Sequence, residues 1–134
     1  MSYKINPIGF TNSGEDFTEI NVLERYGDAL EGLPDYSHII VLIWLHERDT
    51  DEERNMLKVH PRHNKKNPLT GIFATRSPVR PNPVAVFIAE IRSIQDRKIT
   101  VDRLDVYDNS PVIDIKPYIP SIDSFSRAKT PDRN

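Results

Sequence analysis

Three closely spaced prolines, Pro78, Pro81 and Pro83, constrain the fold of this chain more than any other feature of its sequence. Proline has no backbone N–H to donate, and the residue before each proline is pushed toward extended geometry. Residues 76–82 therefore cannot form a helix interior or a central strand, although apolar segments predicted to be strands flank them on both sides. The pattern predicts a rigid connection, which we call the proline loop (residues 76–82).

The proline loop carries three side chains suited to binding, Arg76, Arg80 and Asn82. Because the loop has little conformational freedom to lose, holding these side chains toward a ligand costs less entropy than it would in a flexible loop. Guanidinium groups bind carboxylates and phosphates through paired hydrogen bonds, which makes the loop a candidate anion-binding site. The alternative is a stiff surface turn whose arginines pair with nearby acidic side chains.

The composition excludes several classes of site. A length of 134 residues fits one domain with a single core. The absence of cysteine excludes disulfides, a thiolate nucleophile and thiolate metal ligands. The four histidines show no spacing typical of a metal site, so we expect no metal.

Charge and hydropathy limit the partners and the location. The net charge of −2 argues against bulk electrostatic binding of nucleic acid, and we expect no DNA partner. A local basic patch remains compatible with RNA. No segment approaches the roughly 20 apolar residues of a membrane-spanning helix, and residues 1–14 lack the apolar run of a signal peptide. We therefore expect a cytoplasmic protein that does not associate with membranes.

Residues 60–67, H-P-R-H-N-K-K-N, form such a basic patch. Its cationic candidates for binding phosphate are His60, Arg62, Lys65 and Lys66. The segment has two interpretations, a mobile solvated loop or a contact surface for phosphates.

Short apolar segments separated by polar turns predict a mainly β fold. The expected strands cover residues 3–10, 17–23, 38–45, 57–59, 84–94, 99–106 and 112–120. A turn is expected at residues 12–16, and one short helix is expected near residues 26–33, ending at Gly32. With little helix and no βαβ rhythm, the chain should form a small closed or curled β-barrel of largely antiparallel strands with one or two short helices.

The longest apolar run, residues 38–45, predicts a central strand buried on both faces. His46 and Glu47 follow where this strand leaves the core, a usual place for functional side chains. Residues 84–94 and 99–106 predict an antiparallel hairpin, with a bulge at Asp102 and Arg103.

The C-terminal third begins with a turn, Y-D-N-S-P at residues 107–111. We expect Asn109 to take a positive φ, and Asp108 and Ser110 to bond to local amides. Strand alternation over residues 112–120 then groups four side chains on one side of the sheet, namely Val112, Asp114, Lys116 and Tyr118. Residues 121–134 are polar and without periodicity, which predicts a weakly ordered tail.

Three motifs resemble the TsaA-like family: G-I-F-A-T-R-S-P-V-R-P-N-P from Gly71, Y-S-H-I-I-V-L-I-W-L-H from Tyr36 and D-N-S-P-V-I-D-I-K-P-Y-I-P from Asp108. The family includes tRNA methyltransferase O, and the match runs from Ile8 to Pro120. The resemblance implies a β-barrel domain over residues 1–120 that binds S-adenosylmethionine and forms a homodimer. It also implies methylation of the exocyclic nitrogen of threonylcarbamoyl-adenosine in tRNA. The alternatives are an S-adenosylmethionine-binding module without turnover and a methyltransferase for a small molecule.

The resemblance also implies site residues. The family's cofactor contacts fall on His46, Glu47, Arg76, Val86, Asp108, Asn109, Ser110 and Pro111. Of these, Arg76 suits the carboxylate of the cofactor. The substrate contacts we expect are Arg80, Asn82, His60, Arg62, Lys65 and Lys66. Candidates for a general base are Asp114, Lys116 and Tyr118, with a structural Asp114–Lys116 pair as the alternative.

Two departures from the family pattern affect the site. The P-R-Q segment of larger members has no counterpart, because only residues 14–16 separate Ser13 from Phe17. Ala85 and Phe87 replace the Gly and Ser that usually flank the aliphatic cofactor contact. We therefore expect one side of the cofactor pocket to be open or differently built.

The chain also ends where larger members continue into a second domain, so RNA would be held differently or another substrate used.

Overall fold

The computed structural model describes residues 1–131, whose strands form a closed barrel and a separate two-stranded sheet. The strands are β1 (Gly9–Ser13), β2 (Phe17–Val22), β3 (His38–Trp44), β4 (Lys58–Val59), β5 (Thr70–Gly71), β6 (Val84–Gln95), β7 (Lys98–Asp102) and β8 (Pro111–Pro117). The order around the barrel is β1-β2-β7-β6-β3-β8, and each of these pairs is antiparallel. The predicted small β-barrel is confirmed.

The helical segments are short. α1 (Asp51–Arg54) and α2 (Pro120–Asp123) are single turns of α-helix, and 3₁₀ segments cover Glu24–Leu30, Leu33–Asp35, His46–Arg48, Pro61–His63 and Ile72–Ala74. The helix expected near residues 26–33 is split in two, because Gly32 between the pieces has a φ of 87°. No helix within residues 1–131 is long and apolar enough to cross a membrane. The expected weakly ordered tail begins with α2, and residues 132–134 lie outside the described residues.

The first strand lies later in the chain than its sequence predicts. β1 begins at Gly9 and pairs with β2 as far as Ser13 opposite Thr18, so the turn is confined to residues 14–16. Tyr3 and Ile5 are exposed and do not belong to a strand. The prediction of a strand over residues 3–10 is wrong because small residues, not these large ones, occupy the inward positions of β1.

The barrel interior is filled by β-branched side chains. On β3 the inward residues are fully buried, namely Ile39, Val41 and Ile43. The alternate residues on the outer side of β3 are only half-buried. The prediction that this strand is buried on both faces is therefore wrong for a single chain, because an antiparallel barrel covers only the inner face of its strands.

The outer side of β3 continues onto β6 as an apolar surface. The register places Ile40 opposite Ile88, Leu42 opposite Val86 and Trp44 opposite Val84. Facing residues of an antiparallel pair project to the same side of the sheet. We call these six residues the apolar face (Ile40, Leu42, Trp44, Val84, Val86 and Ile88).

The strand alternation differs from the prediction at two β-bulges. The β6–β7 register shifts between Ile91 and Ser93, so the extra residue lies in β6 and not at Asp102 or Arg103. The β3–β8 register shifts between Leu42 and Ile43, which face Asp114 and Val112. Val112 is consequently buried in the barrel while Asp114 lies on the outer side, and the prediction that they share a side is wrong.

The two-stranded sheet joins the basic segment to the proline loop. β4 pairs with β5 through Lys58 opposite Gly71 and Val59 opposite Thr70. The intervening segment, residues 60–69, is thereby closed at its base. Since Arg76 follows β5 by only a few residues, the basic segment and the proline loop lie next to each other.

Candidate functional site

The proline loop is held in place by its own side chains. Thr75 Oγ1 donates to the Ile72 carbonyl at 2.8 Å and accepts from the Ser77 amide at 3.2 Å. Ser77 Oγ accepts from the Val79 amide at 3.1 Å, and Val79 is buried. The expectation that residues 76–82 form neither helix nor strand is confirmed.

The two arginines of the loop differ in their contacts. Arg80 donates to the Thr75 and Ser77 carbonyls at 3.1 and 3.0 Å, so its side chain folds back on the loop and stabilises it. Arg76 is exposed, and no acidic side chain within residues 1–131 pairs with it. The free guanidinium of Arg76 can therefore bind an external anion without first breaking an ion pair.

His46 and Glu47 lie beside the end of the proline loop. The Leu45 amide donates to the Pro83 carbonyl at 2.7 Å, which joins the end of β3 to the start of β6. The His46 ring contacts the Glu47 carboxylate through Nε2 at 3.3 Å. Its other nitrogen, Nδ1, is buried and has no hydrogen-bond partner among the described residues. An unsatisfied buried nitrogen costs free energy, so it marks a position where a ligand group would be stabilising.

The turn at residues 107–111 is fixed to β1. Asn109 has the expected positive φ, 59°. Asp108 accepts from the Ser13 amide at 2.6 Å, and the buried Ser110 donates its hydroxyl to the Tyr107 carbonyl at 2.5 Å. The predicted bonds to local amides are therefore wrong, because Asp108 bonds across to β1 and Ser110 bonds to a carbonyl. The Ser110 hydroxyl is therefore already engaged and poorly placed to bind a ligand.

A cavity of about 910 Å³ lies between the basic segment and the proline loop. We call it the basic cavity. Its cationic lining consists of Arg48, Lys58, Arg62, Lys65 and Arg76, with His60 and His63 beside them. Its apolar lining includes Met56, Val59, Leu69 and Val79. Of the substrate contacts expected from sequence, His60, Arg62 and Lys65 line the cavity, whereas Lys66, Arg80 and Asn82 do not.

The proposed cofactor residues are not gathered in this cavity. Arg76 lines it, but the other seven do not: His46, Glu47, Val86, Asp108, Asn109, Ser110 and Pro111. Val86 lies on the apolar face and is 40% exposed. The structure thus places the proposed cofactor residues around the end of β3, on the outer side of β6 and at the β1–β8 junction.

The similarity of this chain to known proteins agrees with the barrel architecture. Residues 6–124 match the family described as the tRNA-methyltransferase O N-terminal domain. The chain belongs to this family.

Its relatives include small archaeal proteins of similar length. A probable S-adenosyl-L-methionine-binding protein of Methanocaldococcus jannaschii is 43% identical over 121 residues, covering 90% of this chain and 96% of that protein. An S-adenosyl-L-methionine-binding protein of Archaeoglobus fulgidus is 40% identical over 110 residues, covering 82% of this chain and 75% of that protein.

A solved member of the tRNA-methyltransferase O family has the same fold. The crystal structure of TrmO from Pseudomonas aeruginosa matches with a TM-score of 0.76 and 24% identity. The match covers 96% of this chain but 61% of that one. This chain therefore spans about three fifths of the solved protein.

The candidate base residues of this family member lie on β8 and just after it. Lys116 Nζ lies 2.7 Å from Asp114 Oδ2, and the two side chains are 59% and 41% exposed. The hydrogen bond from Lys116 to Asp114, and then the attraction of the same carboxylate, raise the pKa of Lys116. Lys116 consequently stays protonated and is a poor proton acceptor. Tyr118 packs near His38, with ring centroids 6.3 Å apart.

Sequence reasoning did not identify every residue of the basic cavity. Arg48, Lys58 and Val59 line it, although the first lies in a charged connection and the others in a two-residue strand. Asn67, which is buried and holds the basic segment together, was also missed. An asparagine just before Pro68 was the available signal, since asparagine side chains often bond to nearby backbone groups.

Proposed function

We propose that this chain binds S-adenosylmethionine and transfers its methyl group to the exocyclic nitrogen of threonylcarbamoyl-adenosine in tRNA. The observation that carries the proposal is the exposed Arg76, presented by a rigid loop and free of acidic partners within residues 1–131. Membership of the tRNA-methyltransferase O family and relatives named as S-adenosyl-L-methionine-binding proteins support it.

The side chains present fit the proposed cofactor. Arg76 can form a charge-assisted bond with its carboxylate, and the unsatisfied Nδ1 of His46 can bond to a polar group. Val86 offers an exposed apolar surface to its uncharged part. Asp108 has one carboxylate oxygen beyond the bond to Ser13, which suits ribose hydroxyls or the sulfonium. When bound, the cofactor supplies an electrophilic methyl group on sulfur.

The chain's own contribution to the transfer is alignment. Holding the acceptor nitrogen in line with the methyl–sulfur bond removes much of the entropic cost of a two-substrate reaction. One proton must also leave the acceptor nitrogen. Of the three candidates for accepting it, we propose Asp114, since Lys116 stays protonated. Asp114 does not line the basic cavity, so it would act on the acceptor nitrogen from outside that cavity. Tyr118 lies beyond the end of β8, where its ring packs near His38.

For the RNA, we propose that the basic segment and the proline loop supply the phosphate contacts. The contributing residues are His60, Arg62, Lys65, Lys66, Arg80 and Asn82. A protein with a net charge of −2 can bind a polyanion only where its cations are concentrated. The basic cavity is such a concentration within the described residues.

We also propose that the protein is a homodimer joined through the apolar face. Val86 and Ile88 are 40% and 58% exposed, and their neighbours on β3 are half-buried. Charged residues border this surface, with Asp114 beside Leu42 and Lys116 beside Ile40. An apolar centre with a polar rim is typical of a protein interface. Val86 belongs both to the apolar face and to the proposed cofactor residues. Dimerisation would therefore cover one side of the proposed cofactor site.

The direct test is to incubate the protein with methyl-labelled S-adenosylmethionine and tRNA that carries threonylcarbamoyl-adenosine, then identify the digested nucleosides by mass spectrometry. We expect a methyl gain on the modified adenosine and none on tRNA that lacks the modification. Asp114→Asn should slow the transfer about 100-fold if Asp114 accepts the proton. Cofactor binding without label in any nucleoside would instead support a binding module without turnover.

A further inference from the structure

We propose that the basic cavity binds the acceptor nucleotide, with its phosphate among the cations and its base on the apolar lining, and that the body of the cofactor lies outside it. This inference rests on the proposed function, because the acceptor is the RNA nucleotide of that reaction. It adds Lys58, Val59 and Leu69 to the residues that hold the substrate, and Asn67 as a residue that positions the basic segment.

The charge of the cavity excludes the cofactor and favours an anion. Of its five cationic side chains, only Arg48 has an acidic partner among residues 1–131, Glu53 at 2.7 Å. The other four face one remaining carboxylate of the lining, that of Glu52. S-adenosylmethionine carries a sulfonium, an ammonium and one carboxylate, so its net charge is positive. Like charges would repel its sulfonium and ammonium groups from this cavity, while its carboxylate can still bond to Arg76.

The apolar lining suits a nucleobase. Leu69 is 57% exposed and Met56 is 40% exposed, so both present apolar surface to the cavity without being part of the core. Val59 and Val79 line it as well. A volume of about 910 Å³ is ample for one nucleotide. An unpaired base on apolar side chains, with its phosphate near lysine and arginine, is the usual way single-stranded RNA is held.

The basic segment is built to present its cations. The buried Asn67 donates through Nδ2 to the Pro61 carbonyl at 2.9 Å, and its own carbonyl accepts from His60 Nδ1 at 2.9 Å. The Asn67 amide donates to the Asn64 carbonyl at 2.9 Å. These bonds close the segment on itself and leave residues 62–66 exposed, so its cations are presented to the solvent.

Backbone strain points to the same role. Arg62 has a φ of 61°, a left-handed conformation that arginine rarely adopts, and His63 has a φ of 55°, which histidine adopts more often than most residues. Strain of this kind persists where surrounding contacts enforce it, and it concentrates at binding sites. Arg62 and His63, the two residues of the basic segment with positive φ, both line the basic cavity.

The strain provides a test that separates binding from folding. Arg62→Gly removes the guanidinium and also relieves the positive φ, so the variant should be at least as heat-stable as the wild type. The wild type, Arg62→Gly and Lys65→Ala are titrated calorimetrically with adenosine 5′-monophosphate, adenosine and inorganic phosphate. Saturating S-adenosylhomocysteine is present throughout to fill the adenosine subsite of the cofactor. Lys129→Ala, which removes an exposed lysine outside the cavity lining, is the matched control.

We expect the nucleotide to bind more tightly than adenosine or phosphate, and each cavity variant to weaken it about tenfold while Lys129→Ala leaves it unchanged. The inference is overturned if adenosine binds as tightly as the nucleotide, if the cavity variants bind normally, or if the nucleotide binds the wild type only in a further titration from which S-adenosylhomocysteine is left out. Methyl transfer to tRNA with no nucleotide binding in the cavity would reject this inference and leave the proposed function intact. Nucleotide binding without methyl transfer would contradict the proposed function and would leave a nucleotide site in the basic cavity without the acceptor role.

Discussion

Gly9→Ala should destabilise the protein by about 3 kcal/mol, because the added methyl group would overlap the backbone of the neighbouring strand. Gly9 is buried where β1 pairs with both β2 and β8, opposite Val22 and Val112. A Cβ atom at this position would overlap the Asn21 carbonyl oxygen and lie 3.1 Å from its carbon. Backbone atoms cannot move aside as a flexible side chain can, so β1 would have to separate from β2 and the barrel would lose its closure.

The measurement is urea denaturation followed by circular dichroism, with Gly71→Ala as the control. A Cβ on Gly71 meets nothing within 4 Å, and its φ of −58° suits alanine. The control should therefore be neutral or stabilised by about 0.4 to 1 kcal/mol, through reduced entropy of the unfolded chain. Equal stability of Gly9→Ala and the wild type would show that the barrel does not close through this contact.

Ile88→Glu should weaken the proposed dimer about 100-fold, since it places a charge on the apolar face at the residue that is most exposed there. Ile88 is 58% exposed in the single chain, so the carboxylate remains solvated in the monomer and the fold should persist. Light scattering coupled to size-exclusion chromatography measures the mass, and circular dichroism checks the fold.

Phe125→Glu is the matched control for the dimer. Phe125 is also an exposed apolar residue, 73% exposed, but it lies outside the apolar face. This variant should remain dimeric. A wild type that is monomeric, or an Ile88→Glu variant that dimerises as well as the wild type, would contradict the proposed interface.

The strand content could be predicted from sequence because most strands here carry local signals. β3 is an apolar run rich in β-branched residues, and Asp96 and Arg97 form the tight turn between β6 and β7. The residue at which β1 begins could not be predicted from the neighbouring sequence. It depends on the close approach of β1 to the backbone of β2 at Gly9, where a Cβ atom would overlap the Asn21 carbonyl oxygen. The bulge opposite Leu42 and Ile43 likewise depends on the partner strand, so Val112 and Asp114 were placed on one side in error.

Part of the candidate site could be predicted because it also carries a local sequence signal. The prolines around Arg76 and Arg80 indicate a rigid loop, and the structure has one. Which arginine is free to bind could not be read from the sequence, because Arg80 is engaged by carbonyl groups of the loop itself. The basic cavity could not be predicted from the sequence either. It forms only when β4 and β5 pair and bring the basic segment beside the proline loop.

The measurement that tests the central claim most directly is a calorimetric titration of S-adenosylmethionine into the wild type and Arg76→Ala. Loss of the charge-assisted bond to the cofactor carboxylate should weaken binding by about 1.5 to 3 kcal/mol. Arg127→Ala, which removes an exposed arginine from the C-terminal segment, should bind as the wild type does. Equal affinity of Arg76→Ala and the wild type, or no binding of the cofactor to the wild type, would contradict the assignment of Arg76 as the cofactor's anchor.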